Sequence, residues 1–136
     1  MRLSTHLHFN GRCRAAFEYY EKCLGGKVTM MMTYGDSPMA GRMPPELHGN
    51  IIHATFSLGD QQLTGADAPP DRFEKPQGFS VLLTVDEPAE ADRVFASLSQ
   101  DGSVQMPIQD TFWALRFGMV TDQFGTPWLI NCGKPA

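Results

Sequence analysis

The feature that most constrains the fold is a pattern of elements that occurs twice, about 75 residues apart. In each half, a stretch that alternates apolar and polar residues precedes a stretch of helical periodicity, and three further short apolar stretches follow. Alternation predicts half-buried strands, and apolar residues three and four positions apart predict a helix. Because self-similarity at a fixed period indicates a repeated structural unit, the sequence predicts two tandem βαβββ modules.

The first module is predicted to span residues 1–68. Its helix covers residues 12–24, starts near Asn10 and Gly11, and ends at Gly25 and Gly26, since glycine tolerates a left-handed cap. The predicted strands are residues 3–10, 27–34, 51–58 and 61–66. Residues 35–50 are rich in proline and glycine and predict a long loop, which in compact domains is usually functional or mobile. Residues 67–77 predict a linker.

The second module is predicted to span residues 78–136. Asp86 is the expected N-cap of its helix, Pro88 occupies the first turn, and Gly102 ends it. Ala91, Val94, Phe95 and Leu98 form its apolar stripe, and the predicted strands are residues 79–85, 103–109, 114–121 and 127–132. A half-sheet with its helix on one face leaves the other face concave, so two halves can enclose a cleft. The prediction is an α+β fold, a cleft-containing pair of half-barrels; a ferredoxin-like domain would need fewer strands.

Composition narrows the class of protein. A length of 136 residues fits a single domain, residues 1–136, and 42% hydrophobic with 19% charged residues excludes a disordered chain. No apolar run approaches the roughly 18–20 residues that cross a bilayer, and the N-terminus lacks the apolar segment of a signal peptide. We therefore expect a cytoplasmic protein without membrane partners. A net charge of −4 without a basic cluster argues against nucleic-acid binding.

Three histidines are the strongest candidates for chemistry. Leu7 and Phe9 should pack on the helix, which turns His6 and His8 towards the cleft. His53 lies on a later strand, and we expect it to approach His6 if the two strands line the same cleft. Histidine titrates near neutral pH and is the commonest ligand for several transition metals. Catalytic metal sites usually have three protein ligands. His6 and His53 are two ligands without a carboxylate, so the sequence favours for them a role in substrate contact or in ordinary surface hydrogen bonds.

Aromatic, amide and thioether side chains are the remaining candidates for substrate binding. Trp113 and Trp128 could supply flat apolar walls, or could be aromatic residues of the core or of a dimer interface. Asn131 alternates with Trp128 and Ile130 and is expected to face the cleft. The three consecutive methionines at residues 30–32 predict either an adaptable binding wall or core filling. The three cysteines (Cys13, Cys23 and Cys132) are widely spaced and predict buried thiols.

Motifs of common enzyme classes do not occur in the sequence. GxSxG, GxxxxGK[ST] and GxGxxG are all missing. No residue is therefore assigned a catalytic role by its motif.

The chain resembles the vicinal oxygen chelate superfamily, which includes glyoxalase I, extradiol dioxygenases and the fosfomycin- and bleomycin-resistance proteins. Within it, the chain is most similar to the PhnB-like group, some of whose members carry the label demethylubiquinone methyltransferase. The stretches that carry the resemblance are HLHFNG (6–11), FEYY (17–20), LGG (24–26), YGD (34–36), IHA (52–54), TFWA (111–114), FG (117–118), VTD (120–122), FG (124–125) and PW (127–128).

The resemblance implies a homodimer and a cleft with a divalent metal bound by histidine and glutamate. Carried onto this chain, the first ligand position falls on Thr5 or, as we favour, His6. The others fall on Phe79 or Ser80, and on Leu129. Because phenylalanine and leucine cannot bind a metal, the superfamily's metal site is expected to be lost and no cofactor is assigned.

Two hypotheses about function follow from these residues. The first is a protein that binds a small organic molecule without metal. The second is a metal-dependent or histidine-based enzyme of the glyoxalase or dioxygenase type, acting on a small oxygenated substrate. Methyl transfer is not expected, because such enzymes usually hold their methyl donor on a glycine-rich turn of a parallel sheet.

Overall fold

A computed structural model describes residues 1–135 of the chain. The chain divides into two compact units, Met1–Glu74 and the remainder from Lys75. Each unit contains a strand, a helix and three further strands in that order. This confirms the repeated βαβββ pattern and the α+β class, and the boundary lies within the predicted linker.

The first unit is a four-stranded mixed sheet with one helix packed on it. Its elements are β1 (Thr5–Phe9), α1 (Cys13–Leu24), β2 (Lys27–Thr33), β3 (Ile51–Leu58) and β4 (Gln61–Asp67). The strand order is β1-β4-β3-β2, with β1 parallel to β4 and the other pairs antiparallel. Helix α1 ends as predicted at Gly25, whose φ of 81° is the left-handed value that favours glycine.

The core of the first unit lies between α1 and one face of the sheet. Phe17 of α1 is fully buried, and its ring contacts Phe9 and Phe56 at centroid distances of 6.0 and 6.3 Å. Gly65 faces the same ring, and a Cβ at this position would lie 2.8 Å from Phe17. The absence of a side chain at residue 65 therefore allows the close approach of the helix to β4.

A buried carboxylate holds the start of α1. The N-cap residue is Arg12, one position beyond the predicted start, and no side chain caps the helix at that position. Instead, Asp67 accepts hydrogen bonds from the backbone N–H groups of Cys13 (3.0 Å) and Ile51 (2.8 Å). Asp67 was predicted to begin the linker, which was wrong: it ends β4, because pairing with β1 continues to Phe9.

Residues 35–50 form the predicted long connection, and it closes on itself. It contains two short 3-10 turns, Ala40–Arg42 and Pro45–Leu47. The imidazole Nε2 of His48 lies 2.9 Å from the carbonyl oxygen of Ala40 and 3.0 Å from that of Met43. His48 therefore holds the connection together from within.

The second unit repeats the arrangement of the first. Its elements are β5 (Val81–Val85), α2 (Pro88–Ser99), β6 (Ser103–Gln109), β7 (Ala114–Thr121) and β8 (Pro127–Gly133). The strand order is β5-β8-β7-β6, and β5 is parallel to β8. The three cysteines of the chain are free and buried, as predicted.

The N-cap of α2 differs from the prediction. Pro88 is the first helical residue, as expected, but the N-cap is Glu87 and not Asp86. A residue before proline is pushed towards extended backbone, and Glu87 has φ −117° and ψ 136°. The proline therefore sets the helix start one residue later than side-chain preference alone suggested.

Within residues 1–135, neither helix is long and apolar enough to span a membrane.

Candidate functional site: an exposed sheet face with three histidines

The sheet of the first unit has one face turned away from α1, which we call the histidine face. Side chains alternate between the two sides of a strand. Leu7 and Phe9 of β1 are buried as predicted, so His6 and His8 lie on the exposed side. Gly65 of β4 faces the helix, which places its neighbours Thr64 and Ala66 on the exposed side as well.

Strand register orders the histidine face into two rows of side chains. Residues opposite each other on paired strands point to the same side of a sheet. In one row, Met32 pairs with His53 across β2 and β3, and His8 pairs with Ala66 across β1 and β4. The second row contains Met30, Thr55, Thr64 and His6, each paired with the next.

The three imidazole rings gather around the short side chains of β4. The ring of His6 meets that of His8 edge-on at a centroid distance of 5.0 Å, and it stacks on that of His53 at 6.1 Å. The Nδ1 atom of His6 lies 2.7 Å from Oγ1 of Thr64, within hydrogen-bond distance. The approach of His6 to His53, which the sequence predicted on the condition that both strands line one surface, is therefore present.

The surroundings of His6 favour its neutral form. Desolvation lowers the pKa of His6 below its ordinary value, and the nearby rings of His8 and His53 lower it further. Each neighbour would place a like charge beside a protonated His6. A neutral imidazole has a nitrogen lone pair available, so His6 can accept a proton or a hydrogen bond.

The sheet of the second unit also has an exposed face, and it is mostly apolar. Trp128, Ile130 and Cys132 are buried, so Leu129 and Asn131 lie on the opposite side of β8, as the alternation predicted. The partners of these two residues on the neighbouring strands are Leu82, Thr84, Phe117 and Met119. We call this set the apolar face; Asn131 and Thr84 are its polar members.

The two tryptophans have different roles. Trp113 is 48% exposed just before β7, and its ring lies 5.3 Å from that of Phe117 on the apolar face. Trp128 is only 1% exposed, and its Nε1–H donates to the buried carboxylate of Asp122 at 2.8 Å. The placement of Trp128 as a ligand-facing wall is therefore corrected: it is a core residue, because its side of β8 faces inward.

The superfamily's metal ligands do not fit this chain. Leu129 lies among apolar neighbours and has no donor atom, and Phe79 has none either. Across residues 1–135, no group of three or more histidine, cysteine, aspartate or glutamate side chains is arranged to hold a metal ion. The residues present at the inherited positions cannot reproduce a histidine and glutamate ligand set.

Two residues of the histidine face were not predicted from the sequence. Thr64 contacts His6, and Ala66 is the small residue opposite His8. Threonine and alanine are common in strands and carry no motif. Only the parallel pairing of β1 with β4, between strands more than 50 residues apart, brings them to the histidines.

Comparison with known proteins gives matches along nearly the whole chain. Residues 1–131 match the model of the family described as 3-demethylubiquinone-9 3-methyltransferase. Protein YjdN of Escherichia coli is 33% identical, covering 98% of this chain and 97% of that protein.

Solved structures share the fold. Protein PA1353 from Pseudomonas aeruginosa has a TM-score of 0.91 and 42% identity, with 99% of each chain covered. The PhnB protein from Bacillus cereus has a TM-score of 0.83 and 26% identity, covering 98% of this chain and 100% of that one. At the level of fold alone, the fosfomycin resistance protein FosX from Mesorhizobium loti has a TM-score of 0.62, 12% identity and coverage of 98% and 92%. The chain thus has the vicinal oxygen chelate fold and belongs to the PhnB-like family described as 3-demethylubiquinone-9 3-methyltransferase.

Proposed function

We propose that this protein binds a small organic molecule in a cleft, without the metal site typical of its superfamily. The observation that carries the proposal is the histidine face, where three imidazole rings surround the short side chains of Thr64 and Ala66. Small side chains between large ones leave room for a ligand, and convergent polar groups in such a place fix its orientation.

The side chains of the histidine face suggest what kind of molecule binds. Imidazole nitrogens and the hydroxyl groups of Thr55 and Thr64 offer hydrogen bonds, while Met30 and Met32 offer adaptable apolar surface. At the margin of the face, the charged side chain of Lys27 lies opposite Ser57. These features favour a ligand that combines oxygen or nitrogen atoms with an apolar part.

The apolar face of the second unit supports the same class of ligand. Asn131 offers an amide beside Phe117, and Trp113 adds an exposed aromatic ring that contacts Phe117. Asn131 and Trp113 are therefore proposed as ligand contacts on the apolar face of the second unit, taken by itself.

Filling the space beside the rings tests the proposal. Wild-type protein is screened by thermal shift against small oxygenated organic compounds, with and without a chelator. For each compound that raises the melting temperature, Ala66→Leu should abolish the shift because it occupies the space beside His8. Ser57→Leu, at the far end of the same face, should leave the shift unchanged.

The screen can also contradict the proposal. Compounds that stabilise Ala66→Leu as strongly as wild type would show that the histidine face is not where they bind. A shift that disappears with the chelator would show that binding needs a metal. The thermal unfolding of each variant without compound controls for loss of structure.

A second function, a histidine-based enzyme, is favoured by the neutral state of His6. A general base must be proton-free at the working pH, and the lowered pKa of His6 together with its contact to Thr64 meets that condition. If a compound from the screen is turned over, His6→Gln should remove the turnover while binding persists. Equal turnover in the variant would exclude His6 as the base.

We also propose that the protein forms a homodimer, as the fold family suggests. Size-exclusion chromatography with light scattering measures the mass directly, against 15.1 kDa for one chain. A mass of one chain at all concentrations would contradict the dimer.

A further inference from the structure

The rings of His6 and His53 lean towards each other over the strand that separates them. Strands β1 and β3 lie on either side of β4, so their backbones are about 10 Å apart. The centroids of the two rings are nevertheless only 6.1 Å apart, and the ring of His8 lies 5.0 Å from that of His6. Ala66 of β4, which pairs with His8, has only a methyl group and leaves space beside the rings.

The histidine face offers hydrogen-bond donors and positive charge without a carboxylate to balance them. A neutral imidazole donates one N–H and a protonated one donates two, and histidine changes between these forms near neutral pH. The hydroxyl groups of Thr55 and Thr64 are further donors. The chain contains 15 aspartates and glutamates, but none of them lies in the two rows that strand register places on this face. A negatively charged acceptor for these donors would therefore come from a bound molecule.

Apolar surface lies in the same rows as the imidazoles. Met30 belongs to the row of His6 and Met32 to the row of His53, and each methionine is 38% exposed. Methionine side chains are flexible and adapt to the shape of an apolar partner. Hydrogen bonds to a charged oxygen are about twice as strong as neutral ones. A molecule with a negatively charged oxygen group and an apolar part would therefore use both kinds of surface.

From this arrangement we infer that the molecule bound by the histidine face is an organic anion, whose carboxylate accepts hydrogen bonds from the imidazoles of His6, His8 and His53. Its apolar part lies against Met30 and Met32. A carboxylate among the rings also offsets the repulsion between protonated imidazoles. The inference rests on the proposed function and narrows its ligand to one chemical class.

Acids and the amides of equal shape separate the effect of charge from that of shape. Butyrate with butyramide, and benzoate with benzamide, are added at millimolar concentrations to wild-type protein at constant ionic strength and about pH 6, just below the ordinary pKa of histidine. In ¹H–¹³C spectra, we expect at least one acid to shift the ring signals of His6, His8 and His53 until saturation. Its amide should bind more weakly by roughly tenfold or more. The ring signals of His48, which bonds within residues 35–50, should stay in place.

Two variants distinguish the imidazoles from the ammonium group at the margin of the face. His53→Phe keeps an aromatic ring and removes the N–H groups, so it should weaken binding of the acid by roughly tenfold. Lys27→Gln removes the positive charge opposite Ser57, near the other end of β3 from His53, and should bind the acid as wild type does. Circular dichroism confirms that each variant is folded, and the comparison of acid with amide needs no variant.

The same spectra can overturn the inference. An amide that binds as tightly as its acid would show that the face selects shape and not charge, and binding of a small organic molecule would still stand. The inference also fails if no acid gives a saturable shift of the three rings, or if the ring of His48 shifts equally. Equal weakening by Lys27→Gln and His53→Phe would place the carboxylate elsewhere. The proposed function itself depends on the separate screen with Ala66→Leu.

Discussion

The buried carboxylate of Asp67 gives the sharpest test of how the first unit is held together. Asp67 is 1% exposed, and its two oxygens accept the backbone N–H groups of Cys13 and Ile51. These N–H groups begin α1 and β3, and neither finds a partner within its own element. The hydroxyl group of Tyr34 donates to the main-chain oxygen of Asp67, so that bond survives a change of side chain.

The cost of removing the carboxylate follows from these contacts. A buried donor left without an acceptor costs about 1–3 kcal/mol. Asp67→Ala leaves two such donors, so we expect the free energy of unfolding to fall by about 2–6 kcal/mol. Asp67→Asn keeps one acceptor oxygen and loses the other, so about half of that cost, roughly 1–3 kcal/mol, should remain. The larger loss is a substantial part of the roughly 5–15 kcal/mol that stabilises a typical domain.

Urea unfolding followed by far-UV circular dichroism measures both losses. Asp71→Ala is the matched control: an exposed aspartate outside the sheet, for which we expect a change within about 0.5 kcal/mol. If Asp67→Ala does not fold, Asp67→Asn still provides the comparison. A loss below about 1 kcal/mol for Asp67→Ala would refute the reasoning, because it would mean that the two N–H groups do not need the carboxylate.

Three further outcomes are expected. Trp128→Phe removes the donor to Asp122 and should lower the free energy of unfolding, measured in urea, by about 1.5–3 kcal/mol. Weaker compound binding by this variant would contradict the assignment of Trp128 to the core. Gly65→Ala should lower the free energy of unfolding by about 1–3 kcal/mol, because the added methyl group overpacks against α1. Gly133→Ala has open space around its Cβ and should leave the free energy of unfolding nearly unchanged. Equal losses in the two variants would contradict the close approach of helix and sheet. An NMR titration should give His6 a pKa below its ordinary 6.5. Since the folded value is the lower one, the contribution of His6 to stability is complete above pH 6.5 and is lost as the pH falls through the folded pKa; a midpoint at or above 6.5 would contradict this.

Much of the fold is readable from local sequence. Alternating apolar residues in a strand and apolar residues three and four positions apart in a helix show which side of the element faces the core. Both patterns lie within a few neighbouring residues. The burial of Leu7 and Phe9, the left-handed cap at Gly25 and the first helical turn at Pro88 were all predicted on this basis. The N-cap of α2 was missed by one residue because the restriction that proline imposes on its predecessor outweighed the side-chain preference of Asp86.

The contacts within the candidate site could not be predicted from local sequence, because they depend on pairing between strands that are distant in the sequence. His6 and His53 could be named as candidates from their residue type, and Trp113 and Asn131 from their position. The contact of His6 with Thr64, by contrast, joins residues 58 positions apart and follows from the register of β1 on β4. A shift of one residue in that register would turn every side chain of a strand to the other face.

The sequence by itself determined the two βαβββ modules and the buried side of strands such as β1 and β3. These follow from residue types and their local spacing. Tertiary structure alone decided that Trp128 belongs to the core, that Asp67 ties a helix to a strand, and that Met32 lies opposite His53. The physical reason is that burial and hydrogen-bond partners of a side chain depend on chain segments far away in sequence, whose arrangement no local pattern specifies.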